Sequence, residues 1–573
     1  VKNKLLAELI FSFETFSRRL KITVMVLLVV FIITSLATLE HLNQKLMIDQ
    51  PTTGGQLTEG VLGSPRFINP LLAASDADRD LVSLVYSGLL RLRADNGFEP
   101  DLAKSYEISA DGLIYTFKLK PNLRWSDGEP ITADDIVFTI NQAQDPVIKS
   151  TKRAVWNGVL VQKIDNLTVQ FILKKPLFSF LNNTTLGILP KHLWDKVKPE
   201  QFILSSLNVN PVGSGPYLVK NIIKDSSGIP LSYHLAPFKK FTLGEPKISN
   251  LIIRFYGDEE ALVTAYDQGE IESASLISPA SANKLETDGR KIIKSNLPRI
   301  FAVFLNQNRN PVLLNKEVRE ALDLAVDRQA IINQVLNGYG QTLSGVLPEN
   351  LNSGARLSYD LEEAREILSQ AGWATTTGGT LEKRPTTKKG ATQILSLSLA
   401  TANIPELKAV ATMIADNWTK LGVHVNLEFF EPSNLNQDII RPRKYEALLF
   451  GEVIGRYFDL YPFWHSSQRL DPGLNVAMYT NTKVDKLLEE IRATTNDYNI
   501  DSPQLAEKYR TIAKEISNDY PAVFLYSPYF LYVVPNDLKG VKTPTITSSA
   551  DRFARIHKWY FKTDRVWKIF TYL

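Results

Sequence analysis

Residues 113–120 read LIYTFKLK, an alternation of apolar and polar positions that predicts a strand with one face on a core. A different period follows. Asp127-Gly128 predicts a tight turn, because glycine tolerates positive φ and aspartate bonds the turn backbone. Thr132 then predicts a helix N-cap, with Asp134 and Asp135 in the first turn, where the helix dipole favours negative charge. Further along, Val318, Leu322, Ala325, Val326, Ile331, Ile332 and Val335 recur at helical spacing and predict one long helix, with Arg319 and Arg328 on its solvated side. Residues 361–373 predict an amphipathic helix closed by Gly372. Residues 375–392, rich in Thr, Gly and Lys, predict an exposed loop or hairpin. A helix over 409–421 leads into a strand over 423–430.

One run breaks both periods. Residues 22–39, ITVMVLLVVFIITSLATL, carry no charge. At about 1.5 Å per residue this run approaches the roughly 30 Å hydrocarbon thickness of a bilayer. Lys2, Lys4, Arg18, Arg19 and Lys21 outnumber Glu8 and Glu14 before it, and Glu40 and Asp49 follow it. The positive-inside rule then predicts a cytoplasmic leader (1–21), a transmembrane anchor (22–39) and a polar tether (40–55), with the body on the external or periplasmic face of the cell membrane. The competing reading is a cleaved signal near Ser35-Leu36-Ala37; the long apolar run and long leader favour a retained anchor.

The net charge is +4, most of it in the leader, so the body is nearly neutral and no large nucleic-acid-binding face is expected. Cysteine is absent, which excludes disulfides, thiolate metal sites, a cysteine nucleophile and a lipid-bearing cysteine. The six histidines are scattered without metal-ligand spacing. No nucleophile elbow, zinc-protease motif, phosphate loop or dinucleotide fingerprint occurs. The pair Asp134-Asp135 has a sufficient structural reason as N-terminal helix residues. No enzyme activity, cofactor or metal is expected.

The strings PDLAKSYEISADGLIYTFKL (100–119) and WSDGEPITADD (125–135), then GSGPYLVK (213–220) and GDEEALVTAYDQGEIESASL (257–276), occur in that order. Together they resemble the family 5 extracellular solute-binding proteins, the peptide receptors of bacterial ABC importers. The resemblance runs over about residues 56–541. It implies an α/β fold: a two-lobed, type II-like periplasmic-binding-protein clam with an extra early subdomain, here preceded by one transmembrane helix. Lobe I is expected from 56–89, 205–300 and 520–573, the extra subdomain from 90–204, and lobe II from 301–519. The implied function is a monomeric receptor that closes on a peptide and presents it to ABC permease subunits.

In such receptors an aspartate of the second lobe takes the peptide's amino group. Here its position falls near Gly455 or Arg456, where no acid stands. Glu452 and Asp459 are the nearest carboxylates and the candidate amine partners, although Asp459 also fits a structural aspartate of the pattern. Arg456 and Arg299 are candidates for a carboxylate, and Phe301, Phe304, Phe429, Phe430 and Trp464 for the aromatic walls. Three alternatives remain open: a receptor for another solute such as an oligosaccharide, a peptidase or hydrolase on the same scaffold, and an anchored sensor or chaperone.

Overall fold

The computed structural model describes residues 15–177, 179–347, 358–385, 391–494 and 503–567; most of the expected leader, 1–14, lies outside them. The chain divides into two units, one from residues 1–55 with 560–573 and one from 56–559.

In the first unit a helix runs Arg18–Leu46, longer at both ends than the apolar run alone. It is the one helix among the described residues long and apolar enough to cross a bilayer. The expected polar tether is not a free linker. Its strand Met47–Thr52 pairs antiparallel with Lys562–Trp567, in register from Met47↔Trp567 to Thr52↔Lys562. Residues 562–567 therefore belong to this ribbon, although the sequence placed them in lobe I. The pairing partner lies more than five hundred residues away, a distance at which local patterning carries no signal.

In the second unit a mixed twelve-stranded sheet runs through both lobes. Its organiser is the strand Ala522–Val534, AVFLYSPYFLYVV. The first half pairs with Arg299–Leu305, which in turn pairs with Ala447–Val453. The second half pairs with Lys291–Asn296 and with Ser273–Ser275. Thus Leu297-Pro298 and Ser527-Pro528 are the two crossing points between lobes, and the Ser527 hydroxyl donates to the Leu297 carbonyl at 2.8 Å. Proline suits such points because it cannot continue a ladder.

In lobe II, Ser396–Ala402 runs parallel to His424–Phe430 and to Ala447–Val453. Their apolar faces meet helices Lys316–Leu324, Leu361–Gln370 and Pro405–Leu421 in one large core. The single helix expected over 318–336 is two, Lys316–Leu324 and Arg328–Gln334. Asp327 interrupts it by N-capping the second through the Ala330 N–H at 2.9 Å. Arg319 and Arg328 are buried rather than solvated. Arg319 donates to the carbonyls of Leu313, Asp519 and Tyr520, and Arg328 to the Phe524 carbonyl at 2.6 Å. A guanidinium offers five donors, enough to satisfy buried chain ends that water cannot reach. In the expected loop or hairpin, Trp373–Thr375 pairs antiparallel with Leu381–Lys383, which pairs in turn with Gln393–Ile394; residues 386–390 lie outside the described residues.

The early subdomain is a four-stranded antiparallel sheet, ordered Ala103–Ile108, Ile114–Leu119, Thr168–Ile172, Leu160–Asp165. The alternation in 113–120 places Tyr115 and Phe117 inward, against Phe171, Phe180 and Trp156. Helix Ala133–Gln144 is closed by the expected cap: Asp135 accepts the Thr132 N–H at 2.8 Å and the Lys191 N–H at 2.9 Å.

Two features fix lobe I. The loop Gly213-Ser-Gly215 passes so close to the end of helix Asp76–Val85 that a Cβ at residue 213 would stand 1.9 Å from the Val85 carbonyl oxygen. The Gly215 N–H donates to that same oxygen at 2.8 Å. Close backbone approach, not turn geometry, demands these glycines. Below, Arg552 is fully buried between Glu59 and Asp80. It binds Asp80 through both terminal nitrogens (2.9 and 2.6 Å) and Glu59 through Nε at 3.0 Å. Ser549 donates to Asp80 at 2.8 Å and Tyr532 to Glu59 at 2.8 Å, and the Ser273 hydroxyl also donates to Glu59. Burial pushes the Glu59 carboxyl up, and the Arg552 charge opposes that shift.

Candidate functional site

The carboxyl ends of parallel strands are where open α/β sheets bind ligands. In lobe II two segments leave such ends: the start of helix Pro405–Leu421 after Ser396–Ala402, and residues 454–459 after Ala447–Val453. Both face the crossing point of the lobes.

A cavity of about 610 Å³ opens there. Lobe II supplies Arg299, Phe301, Tyr339, Ile404, Glu406 and Leu407. Lobe I supplies Asp76 and Arg79, Glu259, residues 276–279, Tyr529 to Leu531 and residues 546–549. A smaller cavity of about 290 Å³ lies on the other side of the hinge, lined by Ile454, Phe458, Thr545 and residues 296–300. Arg299 lines both.

Most charges around the larger cavity are already committed. Asp76 pairs with Arg79 at 2.9 Å and accepts from Ser549. Glu259 accepts the Ser278 N–H at 2.7 Å. Among the described residues, the side chain of Arg299 makes no ion pair within 4.0 Å, and Glu406 is coupled to the Tyr526 hydroxyl. They do feel each other: burial raises the Glu406 carboxyl, and the Arg299 charge offsets part of that rise. The Tyr526 hydroxyl stands close enough to Glu406 to favour its ionised form, yet is buried with no partner at hydrogen-bond distance. Its ring stacks on Phe301 at 4.9 Å and 15°.

The sequence candidates separate into three groups. Arg299 and Phe301 line the larger cavity. Arg456 reaches across the lobes: it donates to the Thr545 carbonyl and to Asp551, each at 2.9 Å, and its Nε is buried without a partner. Its neighbour Tyr457 packs against Phe98 of the early subdomain, with ring centroids 6.0 Å apart.

The others are elsewhere. Phe304 and Trp464 are core, because residue 304 faces inward on a strand covered on that side, and the two rings pack against each other. Phe429 and Phe430 end the edge strand of the sheet; Phe429 is 38% exposed under Lys408, and Phe430 packs on the core. Asp459 is tied to Arg492 by two bonds, 3.2 and 2.6 Å. Glu452 is buried in lobe II, where desolvation raises its carboxyl well up against a single opposing charge, Arg443. A carboxyl so placed lines neither cavity.

Glu406, which lines the larger cavity, and Tyr526, which stacks on Phe301, are not among the sequence candidates. Glu406 was visible as the acid behind Pro405 at a helix start, just past a strand. Tyr526 carried no signal, being one aromatic among many in a buried strand.

Two α/β lobes joined by two strand crossings, with a lined cavity at the crossing, define a hinged binding receptor. The family model for bacterial extracellular solute-binding proteins, family 5, matches residues 97–472, and the chain belongs to that family. The oligopeptide-binding protein AppA of Bacillus subtilis is 28% identical over 507 residues, covering 86% of this chain and 90% of that protein. The structure of B. subtilis AppA in complex with a nonapeptide is similar with a TM-score of 0.65 at 26% identity, over 90% of this chain and 100% of the other. NikZ from Campylobacter jejuni, in complex with Ni(L-His), is similar with a TM-score of 0.67 at 27% identity, over 88% and 99%.

Proposed function

We propose that this chain is the peptide-binding receptor of an ABC importer, held at the outer face of the cell membrane by its single N-terminal helix. It acts as a monomer, uses no cofactor and performs no chemistry on its ligand. The carrying observation is the cavity of about 610 Å³ at the junction of two lobes that only a pair of strand crossings joins. A volume in this range suits a small ligand, and closure of the lobes would bury it. Likeness to peptide-binding relatives supports the choice of ligand. Arg299 and Phe301 are the proposed ligand contacts in the cavity, and Arg456 the contact that reports closure. The basic flank before the helix supports an external body.

Native mass spectrometry of the full chain, extracted from membranes in detergent and offered a random peptide pool, tests all of these together. The expected spectrum shows one chain, with its helix retained, carrying intact peptides. A mass lacking the helix removes the anchor, and a dimer mass removes the monomer. Peptides returned as fragments restore the hydrolase reading. A chain that retains no peptide overturns the assignment.

A further inference from the structure

We propose that Arg456 is a latch that holds the two lobes closed before any ligand arrives, so that the receptor rests shut and opens only when this side chain lets go. The inference stands on the two-lobed frame and does not depend on which solute the larger cavity takes.

The latch and its keeper stand on opposite lobes. On lobe II, residues 454–459 leave the end of Ala447–Val453 in a strained turn: Gly455 has φ 72°, and Phe458, a bulky residue that rarely adopts a left-handed backbone, has φ 51°. Such a turn persists only where its surroundings hold it. The Tyr509 hydroxyl backs it, 3.3 Å from the Tyr457 carbonyl and 3.1 Å from that of Phe458. The turn carries Arg456 across to lobe I, where its side chain is only 5% exposed. The keeper on lobe I is assembled without Arg456. Asp551 is fixed by the backbone N–H groups of Thr547 at 2.7 Å and Ser548 at 3.0 Å. Thr545 is fixed by Asn96, which accepts its N–H at 2.8 Å and donates to its hydroxyl at 2.9 Å. The two hydrogens of Arg456 Nη2 then go to Asp551 and to the Thr545 carbonyl, each at 2.9 Å. Every partner is a group of this chain, so the contact forms without a ligand. Close charge pairs shielded from water couple strongly enough to favour one arrangement of two bodies over another. A receptor that rests shut binds through its open minority alone, and its apparent affinity is lowered by that fraction. Arg456 would set the fraction.

The test is the distance between the lobes, read by pulsed dipolar spectroscopy on the full chain in detergent, with its native mass confirming that no solute is bound. The chain has no cysteine, so Lys118→Cys on the early subdomain and Lys514→Cys on lobe II, both exposed positions, take one spin label each with no native thiol to remove. Arg91 ties the early subdomain to lobe I through the Ala554 carbonyl at 3.3 Å, so the label at residue 118 follows that lobe. The doubly labelled protein should give a single short distance. Arg456→Ala should bring in a second, longer one, the open fraction rising roughly tenfold or more. Asp551→Asn keeps an oxygen for the Thr547 and Ser548 N–H groups and should do the same. Combining the two should open the lobes no further than either alone, because both remove one bond. Arg456→Lys keeps the charge without the planar fork and should fall between; with Asp551→Asn it carries the test if Arg456→Ala does not fold. A distance that is already long with Arg456 in place, or one that these variants leave unchanged, overturns the latch while the receptor reading stands.

Discussion

His557 should make lobe I acid-sensitive. Its side chain is 3% exposed, its ring meets Phe241 edge-on at 5.4 Å, and neither ring nitrogen has a hydrogen-bond partner. Burial first, then the charges of Arg91, Lys558 and Arg555, push its pKa down from 6.5 to about 3. The folded protein therefore holds a neutral imidazole where the unfolded chain takes up a proton. Above pH 6.5 neither state is protonated and the group costs nothing. Below it the unfolded state binds the extra proton, so stability falls by about 1.4 kcal/mol per pH unit until the folded form titrates. At about pH 5 the loss is ~2 kcal/mol. His557→Phe removes the titration and keeps an aromatic ring in the pocket. The assay is equilibrium urea unfolding followed by tryptophan fluorescence, with buried Trp559 two residues away as a local reporter. Wild type should lose ~2 kcal/mol more than the variant between about pH 7.5 and about pH 5. Every other titrating group is common to both proteins, so parallel curves would refute the argument that His557 is buried and neutral.

Two further perturbations test the frame. Arg552→Met strands Glu59 and Asp80 in a fully buried site; it should cost about 3–5 kcal/mol, read by calorimetric melting, and adding Glu59→Gln should recover part of the loss. Gly213→Ala drives a methyl into the Val85 carbonyl and should cost about 2–3 kcal/mol, whereas Gly257→Ala, with open space around it, should stay within about 0.5 kcal/mol of wild type.

Local structure was legible wherever one face of an element meets a core. The strand at 113–120 and the cap at Thr132 are set by residues within a few positions of each other, and both form as expected. The order of motifs was enough for the lobes. Periodicity failed where a polar side chain acts on the backbone. Asp327 splits a helix whose apolar spacing continues through it, and Arg319 and Arg328 enter the core to satisfy carbonyls from segments nearly two hundred residues away. The site was legible in part for a related reason. Arg299 and Phe301 sit on a strand that crosses between lobes, and their place follows from chain order. Phe304 and Trp464 look no different in sequence, but the core that covers them comes from distant chain. Glu452 and Asp459 were chosen for their nearness to Arg456 along the chain, which says nothing of which way each carboxylate turns.

The strand Ala522–Val534 bears on how the body is made. It is the middle strand for both lobes, yet it enters the chain after every other strand of that sheet. Arg299–Leu305 waits more than two hundred residues of synthesis for its partner, and so does Lys291–Asn296. Neither half can close its sheet early, and long-range pairing of this kind is slow. The two halves of the sheet therefore stay unjoined until this last strand arrives and lets them condense together. A body whose keystone comes last takes its two-lobed form only once almost its whole length is available.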